Sequence, residues 1–251
     1  MAAMRILTLL PWIDWLALAV FVGLWVGYTL YSHHASASHG STLLATTNRY
    51  RKAWMLQTVA RDPRMLDGII AQSLSASPSF FASTTIIVIG GLAALLGTSE
   101  RAVELVHELP FAVKTSTMVF DFKIMLLIGI FVYAFFRFTW CLRLYSFGLL
   151  AIGSMPPPAE FAEGLHDREA YALRSAKLMG MAAETFNLGL RAYYFAFAVI
   201  CWFFSPTLFI AATLAVVFVL YSREFRSEVL GVLRERFFKT ELALCARSAC
   251  A

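Results

Sequence analysis

The tract from Leu188 to Tyr221, LGLRAYYFAFAVICWFFSPTLFIAATLAVVFVLY, constrains the fold of this chain more than any other feature. As one helix its 34 residues would reach about 51 Å at ~1.5 Å per residue, far beyond the ~30 Å of hydrocarbon in a bilayer. Ser205-Pro206 sits near its middle. Proline cannot continue a preceding helix, because it lacks the N–H that the ladder needs, but it starts a new helix well. The tract therefore predicts a tight hairpin of two membrane spans, 185–203 and 207–224.

Composition agrees with a membrane environment. Hydrophobic residues make up 59% of the 251 residues, charged residues 15%, and the mean hydropathy is +0.68. A soluble domain carries about 25% charged residues, so there is too little polar side chain here to cover a globule. Three further spans follow from apolar segments near the required ~20 residues. They are 12–32, with Trp12, Trp15 and Tyr31 as interface anchors; 80–97, preceded by Ser77-Pro78 and stopped at Gly97; and 122–145. Arg5 is a thin basic region and Pro11 and Asp14 interrupt the first apolar run, so a first span rather than a secretory signal is expected there.

Charge placement sets the expected topology. Arg49, Arg51, Lys52, Arg61 and Arg64 lie between spans one and two, and Arg168, Arg174 and Lys177 between three and four. Arg223, Arg226, Arg234, Arg236, Lys239 and Arg247 lie at or beyond the end of span five, whereas the 205–206 turn carries no charge. Between spans two and three, Arg101 and Lys114 are offset by Glu100, Glu104, Glu108 and Asp121. Five spans put every basic segment on one side, which the positive-inside rule makes cytoplasmic with the N-terminus outside. Four spans would put the tail on the wrong side. The expected organisation is all-α: a single polytopic membrane domain over 1–230, cytoplasmic amphipathic helices, and a cytoplasmic tail over 231–251. Between spans one and two, a helix carrying Tyr50 and Trp54 beside its cations, broken near Asp62-Pro63, suits the surface of an anionic leaflet. The inner (plasma) membrane is the expected location. The net charge of +5 reads as topology, and no basic block beside a soluble fold points to nucleic acid.

Taken in order, the blocks NRYRKAWMLQTVARDPRMLDGIIAQSL, FFASTTIIVIGGLAALLG, FRFTWCLRLYSF and NLGLRAYYFAFAVICWFFSPTLFIAATLAVVFVLYSREFRS resemble the membrane family catalogued as domain of unknown function 599. The resemblance covers roughly residues 10–230. It implies a multi-span helical protein and supplies no biochemical role or site residues.

The chemistry must come from the residues themselves. Arg137 lies within span three, and Arg143 lies nearer its cytoplasmic end with Trp140 and Tyr145. Arg143 reads as an interface anchor. Arg137 either snorkels to the headgroups or pairs within the bundle, as intramembrane cations do. On span four, Glu184, Asn187 and Arg191 recur at i, i+3 and i+7, forming one stripe. Glu184 is the expected acidic partner for Arg137 or Arg191. Two readings stay open: a buried structural ion pair, or a cationic vestibule that attracts an anion. Gly90, Ala93, Ala94 and Gly97 give small-xxx-small spacings on span two, with Gly129 on span three. They suit close helix packing within the chain or between subunits.

Other polar groups have simpler readings. Asp14, Asp121 and Lys123 read as boundary charges, and Ser83, Thr84 and Thr85 as donors to helix carbonyls. His33, His34 and His39 have no carboxylate or cysteine close in sequence, so no metal site is expected. Cys141, Cys201, Cys245 and Cys250 show no C-x-x-C spacing. No cofactor motif, P-loop or G-x-S-x-G elbow occurs, which disfavours an enzyme. The expected function is a homo-oligomeric channel- or transporter-like assembly with a cationic cytoplasmic-side vestibule, possible substrates being anions. The alternative is a non-transporting accessory or scaffold subunit of a larger membrane complex. Anionic lipids at the cytoplasmic face are the expected partners.

Overall fold

A computed structural model describes residues 11–38, 42–107 and 116–234. Nine bounded helices and no strands occur among them, and residues 228–234 are helical as well. They are α1 (Trp12–Ser38), α2 (Leu43–Thr58), α3 (Met65–Leu74), α4 (Ala76–Leu96), α5 (Ser99–His107), α6 (Thr117–Gly153), α7 (Pro158–Ala162), α8 (Arg168–Cys201) and α9 (Pro206–Phe225). Four helical stretches are long and apolar enough to cross a membrane: Trp12–Ser36, Met65–Leu96, Thr117–Gly153 and Pro206–Arg234. These mark the chain as a helical membrane protein. His39, Glu108, Lys114, Arg236, Lys239, Arg247, Cys245, Cys250 and most of the expected tail lie outside the described residues.

The long tract folds as the hairpin that its length demands. α8 ends at Cys201, and Ser205 caps α9 by accepting a hydrogen bond from the Leu208 amide at 3.1 Å. Pro206 occupies the first position of α9, where a missing N–H costs nothing. Ser116 caps α6 and Asp167 caps α8 in the same manner, each carrying a side-chain acceptor for the first free amides. Several boundaries differ from expectation. α4 is already helical at Ala76, so Pro78 sits inside its first turn rather than ahead of it. α6 runs to Gly153, past the expected end at 145, and stops just before Pro156-Pro157-Pro158. α8 starts at Arg168, so the expected lead-in helix and span four are one element.

The helices α6 and α8 form the antiparallel spine, with 37 and 34 residues respectively. α4 packs on α6, α2 on α8, and α9 on both α8 and α1. Glycines on the spine admit the closest approaches. A Cβ on Gly189 would fall 2.6 Å from the Phe138 ring, and one on Gly148 2.6 Å from the Met179 methyl.

The core has two main storeys and a small third cluster of Val103, Phe120 and Ile124. One, at the hairpin end, contains Phe21, Phe138, Phe195, Trp202 and Phe209, each no more than 2% exposed. Its rings interlock edge-on, as between Phe21 and Phe195 (5.6 Å), and face-on, as between Trp25 and Phe195 (4.9 Å) and Trp202 and Phe209 (5.0 Å). The other, at the α2 end, gathers Met55, Val59, Cys141, Leu144, Ile152 and Met179. Arg64 fastens that storey: its guanidinium donates to the carbonyls of Thr58, Val59, Met155 and Pro156, tying the α2–α3 link to the α6–α7 link. Asp67 is fully buried, and its Oδ1 accepts from Trp54 Nε1 (2.6 Å), Thr58 Oγ1 (3.0 Å) and Arg61 Nη1 (2.8 Å).

Two expected boundary charges are instead interior. Asp14 is 4% exposed and Lys123 2%. Trp202 links them, donating its indole N–H to Asp14 Oδ1 at 2.5 Å while its carbonyl accepts from Lys123 Nζ at 2.8 Å. Lys123 also lies 5.1 Å from the Trp202 ring centroid. A buried ion at a helix end persists when such partners replace its water. Thr84 and Thr85 do donate to helix carbonyls, those of Phe80 and Phe81. Thr85 additionally meets the Tyr193 hydroxyl at 2.7 Å, joining α4 to α8.

Candidate functional site

At the α2 end, where the N-terminus of α2 meets α1, α8 and α9, the helices leave a cavity of about 480 Å³. The arginine side chains Arg51, Arg191 and Arg223 line it, with Glu224 as the sole carboxylate among the lining residues. Three guanidiniums against one carboxylate leave two formal positive charges uncompensated. Tyr28, Asn187, Thr47 and Tyr145 supply polar edges, and Leu44, Phe186 and Leu220 supply apolar walls.

Each arginine is held by a different device. Arg191, 8% exposed, donates through Nη2 to Ser32 Oγ at 2.6 Å and lies 3.9 Å from Glu224 Oε2. Its guanidinium carbon also lies 5.1 Å from the Tyr28 ring centroid. Arg51 donates to Thr47 Oγ1 (3.0 Å) and Asn48 Oδ1 (2.8 Å), and burial pulls its pKa below the ordinary arginine value. Arg223 donates to the Tyr194 hydroxyl. Glu224 accepts from the Leu44 amide at 3.4 Å, so its charge is shared between Arg191 and the positive end of α2. Arg191 is buried, Arg51 half-buried and Arg223 exposed, so donors run from the interior of the cavity to its rim, an arrangement that suits oxyanions.

The predicted stripe is brought together in part. Glu184, Asn187 and Arg191 line an adjoining pocket of about 300 Å³ with Ser32 and His33. Asn187 and Arg191 border both cavities. Glu184, however, faces His33 Nε2 at 3.8 Å, and the acidic neighbour of Arg191 is Glu224. Arg137 stands apart: its Nε donates to the Tyr133 hydroxyl at 3.0 Å, and no carboxylate lies within ion-pair distance among the described residues. Arg143 is exposed on the same helix. Gly90, Ala93, Ala94 and Gly97 also face outward, and a Cβ on Gly90 would meet nothing within 4 Å. The close packing inside the chain uses Gly148 and Gly189 instead. Among the described residues, no three His, Cys, Asp or Glu side chains cluster as a metal site requires.

Sequence reasoning missed Arg51, Arg223, Glu224 and Ser32 as site members. Arg51 and Arg223 looked like members of basic flanks. Only the fold of α2 back against α8 and α9 brings them to one cavity.

Comparison with known proteins adds a family but no activity. No curated protein and no solved structure matches the chain. The model of one family matches residues 16–229. Over that span, which includes every residue of the arginine cavity, the chain belongs to the family described as "Protein of unknown function, DUF599".

Proposed function

We propose that this protein binds an anion in the Arg51–Arg191–Arg223 cavity and works as a channel- or transporter-like membrane assembly whose cytoplasmic side is this cationic vestibule. The observation that carries the reading is the excess of guanidinium over carboxylate around a partly enclosed space, with Arg191 itself nearly buried. Uncompensated cations are expensive in a low-dielectric interior and mark ligand pathways.

The proposed topology has five spans, N-terminus outside and C-terminus inside, in the inner (plasma) membrane. α8 supplies span four through its apolar last half. Its polar first half extends into the α2–α3 layer, which lowers the average hydropathy of the helix. The aromatic storey of Phe21, Phe195, Trp202 and Phe209 blocks a straight route from the vestibule to the hairpin end. That supports a binding vestibule closed on the far side, with passage requiring rearrangement. The outward small-residue face of α4 supports a homo-oligomer. It equally suits the second reading, a non-transporting scaffold subunit that docks by the same face.

The test uses purified protein in detergent and in vesicles. Inorganic phosphate, sulfate and a small carboxylate should raise the melting temperature. Arg191→Gln should weaken the best of these by about tenfold, the effect of one lost ~1.4 kcal/mol contact. Anion flux in vesicles supports transport, whereas binding without flux supports the scaffold reading. No anion-dependent shift in the wild type overturns the site.

A further inference from the structure

A second site lies on the membrane-facing surface. Between α1 and α6 runs a groove of about 520 Å³, lined by Phe21, Val22, Val26 and Leu30 on one side and Met125, Gly129 and Tyr133 on the other. Its polar lining groups come from Trp25, Tyr133 and Thr29, whose hydroxyl donates to the Trp25 carbonyl; the rest is apolar. The lining of α1 spans Phe21 to Leu30, about 13 Å at ~1.5 Å per residue. One leaflet of hydrocarbon is about 15 Å, half of the ~30 Å core.

Arg137 lies one helical turn beyond Tyr133, toward the α2 end. Its guanidinium sits 5.0 Å from the Tyr133 ring centroid, and Nε donates to the Tyr133 hydroxyl. The remaining guanidinium N–H groups have no protein acceptor, and no carboxylate is within 4 Å, among the described residues. An intramembrane cation without a protein counter-charge takes its anion from elsewhere. At the end of a groove one leaflet long, the anion at hand is a lipid phosphate.

We propose that the α1–α6 groove holds one acyl chain of an anionic phospholipid, with the phosphate seated on Arg137 and the Tyr133 hydroxyl. The planar guanidinium offers paired donors to two phosphate oxygens. A zwitterionic headgroup would also bring a cation to a place with no carboxylate to receive it, so an anionic headgroup is favoured. The site rests on residues distinct from the arginine cavity and stands or falls separately from it.

The experiment is native mass spectrometry of delipidated protein titrated with phosphatidylglycerol or phosphatidylcholine. Wild type should bind one phosphatidylglycerol per chain in preference to phosphatidylcholine. Arg137→Gln should weaken phosphatidylglycerol by about tenfold and erase the preference. Arg137→Lys should keep the preference at reduced affinity. Gly129→Leu should fill the groove and abolish binding of either lipid, since a Cβ at Gly129 meets nothing within 4 Å. Val26→Trp provides an independent block, because Val26 is 51% exposed. Arg143→Gln, outside the groove, should bind as wild type. Wild-type binding in both Arg137→Gln and the groove-filling variants overturns the proposal. Dimers that dissociate on groove filling, with no lipid bound, overturn it in favour of a second copy as occupant.

Discussion

Gly189 on α8 lies against the edge of the Phe138 ring on α6, so close that a Cβ would stand 2.6 Å from Cε1 and 2.9 Å from two further ring carbons. The ring cannot retreat. Phe138 is fully buried and is packed by Phe81, Phe186 and Tyr193 at centroid distances of 5.4–5.7 Å. Gly189→Ala should therefore cost about 1–3 kcal/mol by overpacking and lower the melting temperature in detergent. Gly90→Ala is the matched control. It faces open space on α4 and should be neutral or stabilising by up to about 1 kcal/mol, because alanine favours the helix. Equal melting temperatures for the two variants would show that the spine is not held at this crossing.

The link through Trp202 makes a second prediction. Asp14→Ala should leave the indole N–H of Trp202 without its acceptor in a buried site, at about 1–3 kcal/mol. Asp14→Asn retains an oxygen there and should cost less. A thermal melt that ranks Ala and Asn in the opposite order would mean the carboxylate is tolerated rather than used. The readout is independent of anion binding, since this link lies at the hairpin end, away from the arginine cavity.

At the other end, Asp67 organises the α2–α3 layer through one oxygen that receives three donors. Asp67→Ala should strip Trp54, Thr58 and Arg61 of their shared acceptor and cost about 1–3 kcal/mol, the cost of unsatisfied buried donors, since Arg61 is 41% exposed and water can take over its charge. Because these residues lie in the shorter helices α2 and α3 and the link between them, the loss should appear as local opening. Limited trypsin digestion should then cut first near Arg61 and Arg64, while the long helices stay intact. Uniform digestion along the chain would argue that the layer has no stability of its own.

The hairpin was legible because Ser205-Pro206 interrupts a tract too long for one span, and both residues act locally in capping α9. The order of long helices and the break near Asp62-Pro63 were legible for the same reason: length, caps and proline act within a few residues. The site was legible only in its α8 part. Asn187 and Arg191 share a face by helical period alone, whereas Arg51, Arg223 and Glu224 join them through contacts between helices far apart in sequence. For Asp14 and Lys123, a charge near a span end reads as solvated from sequence alone, whereas both side chains are buried. Nothing in the neighbouring residues reveals that Trp202, some 188 positions from Asp14, folds over it. Glu184 shares a stripe with Arg191 by helical spacing, yet its side chain turns toward His33 and Glu224 takes its place beside Arg191.

The unbroken run of α8 through both storeys has a mechanical consequence. From the Gly189–Phe138 crossing to Arg168 the helix extends about 32 Å at ~1.5 Å per residue. A tilt of roughly 10° about that crossing would swing the far end by about 5 Å, nearly one helical turn. α2 rides on that lever, and Arg51 with it, while Arg191 sits half a turn from the fulcrum and scarcely moves. Any change in the α2–α8 angle would alter the Arg51–Arg191 separation and the cavity together.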